Sequence, residues 1–136
     1  MVILIIDGQG GGLGRSLLDA VTKELPTAET IAVGTNSAAT AAMVRGSKVP
    51  GATGENAIAF NAGRAEVIIA PLGAYFVNGL MGEISASMAN ALCQSPAYKI
   101  AVPGADSPVT IASHRTLSTS EEVRQAIALL RRHCKS

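Results

Sequence analysis

The sequence predicts one α/β domain of three layers, a mainly parallel sheet covered on both faces by helices, and three observations carry that prediction. The 136 residues fall within the usual size of a single domain and suffice to bury a core without disulfides or a structural metal. Apolar runs of strand length alternate with segments of helical period along the chain, the pattern of parallel strands joined by crossover helices. The first run, residues 2–6, is β-branched and aliphatic throughout, as a strand buried on both faces must be.

Each element has its own justification. After residues 2–6 come Asp7 and the breaker series Gly8-Gln9-Gly10-Gly11-Gly12-Leu13-Gly14, read as a tight turn opening a helix near Leu13. Leu17, Leu18, Val21 and Leu25 recur at helical spacing, and Pro26 closes that helix. Residues 30–33 form the second strand, followed by the loop Gly34-Thr35-Asn36 and an alanine-rich helix ending near Arg45. Residues 47–49 read as a short edge strand, and residues 50–54 as a turn whose Thr53 caps a helix over 55–62. Residues 67–70 are the next buried strand. Ser85 is the expected N-cap of a helix reaching Cys93, with Met88, Ala89, Leu92 and Cys93 facing inward.

Residues 98–102 form a further strand, which gives the order 3-2-1-4-5. Only six residues separate it from the strand-like residues 109–112. That gap is too short for a helical crossover, so the last strand is expected to be antiparallel or a bent continuation. Ser118 and Glu121 then stand at capping-box spacing before a helix burying Val123, Ala126, Ile127 and Leu130.

Composition excludes several classes of function. Charged residues make up 15% of the chain and the net charge is +1, against a usual share of about 25%. The basic footprint of a nucleic-acid binder is missing. Sparse surface charge instead predicts burial of some surface in a homo-oligomer, by default a symmetric dimer. No uninterrupted apolar run reaches the roughly 18 residues of a membrane span, and the opening apolar run is too short for a signal core. Cys93 and Cys134 stand alone in their segments, which suggests neither a disulfide framework nor a metal site. A cytoplasmic location follows.

Chemistry is concentrated in the glycine turn. Gly8, Gly12 and Gly14 have the spacing G-x-x-x-G-x-G between strand and helix. Glycines there let backbone amides approach a phosphate, and the following helix points its partial positive charge at the anion. The expected ligand is a nucleotide, a dinucleotide or another small phosphate-bearing molecule. Its expected contacts are Gly8, Gln9, Gly10, Gly11, Gly12, Leu13, Gly14, Thr35, Asn36, Thr53 and Asn56, because loops after parallel strands share one edge of the sheet. Asp7 either caps the turn through backbone amides or holds a divalent cation. Glu55 and Glu83 reach the same edge from separate loops, so they are the candidate acid and base. The bland reading of each is capping and turn-making. His114 and His133 have no second ligand nearby in sequence and are read as solvated or serving the helix dipole.

The turn's spacing resembles the cofactor loop of short-chain dehydrogenases, and Ala65-Glu66-Val67-Ile68-Ile69 leading to Gly73 is similar to their fourth strand and loop. Tyr75 has Gly79, not lysine, four residues on, so the proton-transfer pair of those enzymes is absent. The end of the second strand offers Gly34, Thr35, Asn36 and Ser37, without the acid or arginine that commonly meets an adenosine ribose. Longer strings, Asp7-Gly8-Gln9-Gly10-Gly11-Gly12, Gly34-Thr35-Asn36, residues 51–57 and Met81-Gly82-Glu83-Ile84, resemble the domain of unknown function 3842 family of short bacterial proteins. That resemblance implies a Rossmann-like fold and no activity, and it weakens after Pro103, over residues 104–118. Two rival functions remain: a nucleotide hydrolase, since the order of loops is loosely similar to that of the tubulin fold, and a scaffold subunit whose apolar residues 74–81 form a contact surface.

Overall fold

β1 (Val2–Asp7) is the middle strand of the sheet. Its Ile3, Leu4, Ile5 and Ile6 are fully buried, which requires strands on either side and helices on both faces. The computed structural model describes residues 1–104, 109–113 and 115–135. Along them follow α1 (Gly12–Glu24), β2 (Glu29–Gly34), α2 (Ser37–Val44), β3 (Gly51–Thr53), α3 (Glu55–Arg64) and β4 (Val67–Pro71). A short 3-10 helix (Leu72–Tyr75), α4 (Ala86–Gln94), β5 (Tyr98–Val102) and α5 (Thr119–Cys134) complete the order. The five strands lie in the order β3-β2-β1-β4-β5, and each pairing is parallel. This is the three-layer Rossmann-like sandwich expected from the alternation of elements.

Strand alternation divides the core in two. Leu4, Ile6, Ile31, Val33 and Ile68 face Ile58 and Ala62 of α3 and Met88, Ala89 and Leu92 of α4. Ile3, Ile5, Ala32, Val67 and Ile69 face α1, α5 and Met43 of α2. By the same parity Asp7 falls on the α1 face.

Four expectations need correction. The edge strand is Gly51–Thr53, paired with Ala32, Val33 and Gly34, and not residues 47–49. Its place is set by α2 lying on it, since a Cβ at Gly51 would sit 2.9 Å from Thr40 Cγ2. Thr53 does not cap α3. Gly54 is the N-cap at φ 99°, and the Thr53 hydroxyl meets Thr40 Oγ1 at 2.7 Å.

The last strand, β5, is parallel to β4, while residues 109–112 form no strand. Val109 and Ile111 remain 39% and 47% exposed, so their period-2 pattern has no pleated surface to fit. Cys93 is exposed, not core, because it follows Leu92 around the helix by one residue's rotation. The other elements match within a residue or two, with the Ser85 cap and the Ser118 capping box both formed. Among the described residues no helix is long and apolar enough to cross a membrane.

Candidate functional site

Asp7 ends β1 and organises the turn after it. Its Oδ1 accepts from the Gly8 amide at 2.8 Å and its Oδ2 from the Gly14 amide at 2.6 Å. The second bond satisfies one of the amides that a helix start leaves without a partner, so Asp7 caps α1 from the strand that precedes it. Burial pushes the Asp7 carboxyl above its ordinary 3.8, against the pull of the Gly14 and Gly8 amides, and the charge of Glu83 adds to the rise. Gly11 closes the turn, donating to Gly8 O at 3.0 Å. At φ 75° its missing side chain lets the turn approach α2, where a Cβ would lie 2.6 Å from Ala39 O.

The remaining amides of the turn divide into two sets. The Gln9 amide donates to Glu83 Oε1 at 2.6 Å. The amides of Gly10, Gly12 and Leu13 have no partner among the described residues. These three stand at the N-terminus of α1, where the helix dipole concentrates positive potential.

Glu83 is the second carboxylate of the turn. Its Oε2 accepts from Asn36 Nδ2 at 2.7 Å, and the same Nδ2 reaches Gln9 O at 3.1 Å. Asn36 also caps α2, accepting from the Ala39 amide at 2.8 Å. Gly8 makes this approach possible, since a Cβ there would lie 2.7 Å from Glu83 Oε1 and from Thr35 Oγ1. Thr35 Oγ1 is buried without a hydrogen-bond partner. Glu83 is delivered by a loop with Asn78, Leu80 and Met81 at φ 66°, 55° and 56°, each an unfavourable conformation for a side-chain-bearing residue. Hydrogen bonds from the Asn78 amide to Ile84 O and from the Ile84 amide to Gly79 O hold the loop in that shape.

A cavity of about 230 Å³ opens beside the turn at the carboxyl edge of β1, β4 and β5. Asp7 and the backbone from Gly8 to Leu13 form one wall, and Pro71, Gly73 and Leu80 form its floor on the β4 side. Pro103, Gly104, Thr119 and Glu122 face the turn from the β5–α5 side. No lysine, arginine or histidine is among the described residues that line it.

The expected site residues therefore separate into three groups. Asp7, Gly8, Gln9, Gly10, Gly11, Gly12 and Leu13 line the cavity. Gly14 lies within α1, its amide taken by Asp7. Thr35, Asn36 and Glu83 gather behind the turn on its β2 side. Glu55, Asn56 and Thr53 are exposed and line no part of this cavity. The Glu55 carboxylate accepts from the Ser85 hydroxyl at 2.6 Å, and neither Glu55 nor Glu83 is among the residues that line this cavity.

His133 stacks on Tyr98 with ring centroids 4.2 Å apart, and His114 lies outside the described residues. Among the described residues no cluster of three or more His, Cys, Asp and Glu is placed to hold a metal ion. Thr119 and Glu122 were not foreseen. The signal for them was available: the capping box at Ser118 marks the start of a helix that follows a parallel strand, and such starts point to the ligand edge.

A family model described as Domain of unknown function (DUF3842) matches residues 2–135. No curated protein matches the chain, and no solved structure does.

Proposed function

We propose that this chain, which belongs to the domain of unknown function 3842 family, binds a small phosphate-bearing ligand such as a nucleotide in the cavity beside its glycine turn. One observation carries the reading. The Gly10, Gly12 and Leu13 amides stand without partners at the start of α1, against a cavity they help to line. Amides so placed are donors for an anion. Asp7 is the carboxylate of the turn that a divalent cation arriving with the phosphate would meet. A ligand bound only by the native state raises its melting temperature. Thermal melts with NAD, NADP, ATP, GTP, flavins and sugar phosphates, each with and without magnesium, test the proposal. At least one phosphate compound should shift the melt upward, and no shift with any would overturn the reading.

A second reading is favoured by different residues. Val77 and Met81 are 55% and 85% exposed on the loop that delivers Glu83, and Phe60 of α3 is 68% exposed. Large apolar side chains so exposed on a chain of sparse charge suit contact with a second copy. Self-association and ligand binding use different surfaces, so both readings can hold together.

A further inference from the structure

The geometry points to Glu122 as a recognition residue across the cavity from the turn, and so to a compact phosphomonoester carrying a hydroxyl or ammonium group as the ligand. This inference rests on the phosphate reading above and goes further by naming what the other end of the ligand must offer. Glu122 is 9% exposed. Neither a hydrogen bond nor an ion pair to its carboxylate is found among the described residues. Glu121, its neighbour, is the capping-box acid and bonds Ser118, so capping does not account for Glu122. Its side chain is packed closely while its carboxylate oxygens keep contact with solvent, so they are open to a donor that a ligand brings. Glu122 lines the same cavity as the free amides of the turn, with Thr119 beside it.

The two walls are chemically opposite. Amide donors at the start of α1 suit an anion, while a carboxylate acceptor at the start of α5 suits a donor. A molecule spanning them needs a phosphate at one end and an O–H or N–H group at the other. Size narrows the class further. On the β2 side the turn is closed by Glu83, which sits on the Gln9 amide with Asn36 bonded to it. That is the side on which Rossmann-like folds commonly accommodate an adenosine ribose. The open volume of about 230 Å³ is below the roughly 300–1,000 Å³ typical of sites for larger ligands.

Titration calorimetry of the full chain with inorganic phosphate, methyl phosphate, glycerol 3-phosphate, phosphoethanolamine and ATP tests the inference. Glycerol 3-phosphate or phosphoethanolamine should bind about tenfold or more tightly than methyl phosphate, which has no donor. Whichever of the two binds better tells hydroxyl from ammonium. In Glu122→Ala that preference should vanish, while inorganic phosphate binds no more weakly than before. Equal binding of the monoesters, or a preference that survives Glu122→Ala, overturns the inference and leaves the phosphate reading in place. ATP binding tightest of all, unaffected by the substitution, also overturns it. If none of the five probes binds, the inference is overturned, and the thermal melts with the wider panel decide the phosphate reading. The ranking of probes on the unaltered protein decides the matter even if the variant does not fold.

Discussion

At the scale of single residues, Asp7 couples the turn to pH. Its folded-state carboxyl titrates above its ordinary 3.8 because burial outweighs the Gly14 and Gly8 amides. A raised carboxyl contributes stability that is present below the unfolded value and lost as pH rises through the folded one. Urea unfolding from about pH 3.5 to pH 7 should show the protein losing stability relative to Asp7→Asn as pH rises. Parallel curves would mean that Asp7 does not titrate differently on folding. The glycine turn was legible as a candidate site because strand, glycines and helix adjoin in sequence. The partners of Glu83 were not, since Gln9 and Asn36 lie 74 and 47 residues away and nothing local in Met81-Gly82-Glu83 marks the contact.

At the scale of elements, the loop between the 3-10 helix and α4 and the turn after β1 are built against each other. Within that loop Gly79 presses on the 3-10 helix so closely that a Cβ would overlap Gly73 O. At the other end Glu83 and Leu80 press on Gly8. Gly8→Ala should therefore cost about 1–3 kcal/mol, measured by denaturant unfolding. Combined with Glu83→Ala the two costs should fall short of additive by about 0.5 kcal/mol or more. Strict additivity would separate the two residues. Element identity was readable wherever a segment stabilises itself locally, as in the Ser85 and Ser118 caps. It was misread at β3 because Gly51, Ala52 and Thr53 carry little strand preference of their own. Pairing with β2 and the close seat of α2 make them a strand, and neither is written in the segment.

At the scale of the whole molecule, strand order followed from the alternation of elements, and β5, joined to β4 through α4, pairs with it in parallel as a helical connection allows. The exposed Val77, Met81 and Phe60 belong to this scale too. Light scattering at rising protein concentration should report a dimer, and a monomeric mass throughout would remove the self-association reading. The central position of β1 has a bearing on how the protein is made. β1 pairs with β2 on one side and with β4 on the other. A ribosome delivers β1, α1 and β2 early, so the first pair of strands forms from neighbouring chain. The opposite edge of β1, with its unbroken aliphatic sequence, must then wait while α2, β3 and α3 are synthesised. An unpaired apolar strand edge invites pairing with other chains. Nascent chains halted between β2 and β4 should thus be the species that molecular chaperones hold longest.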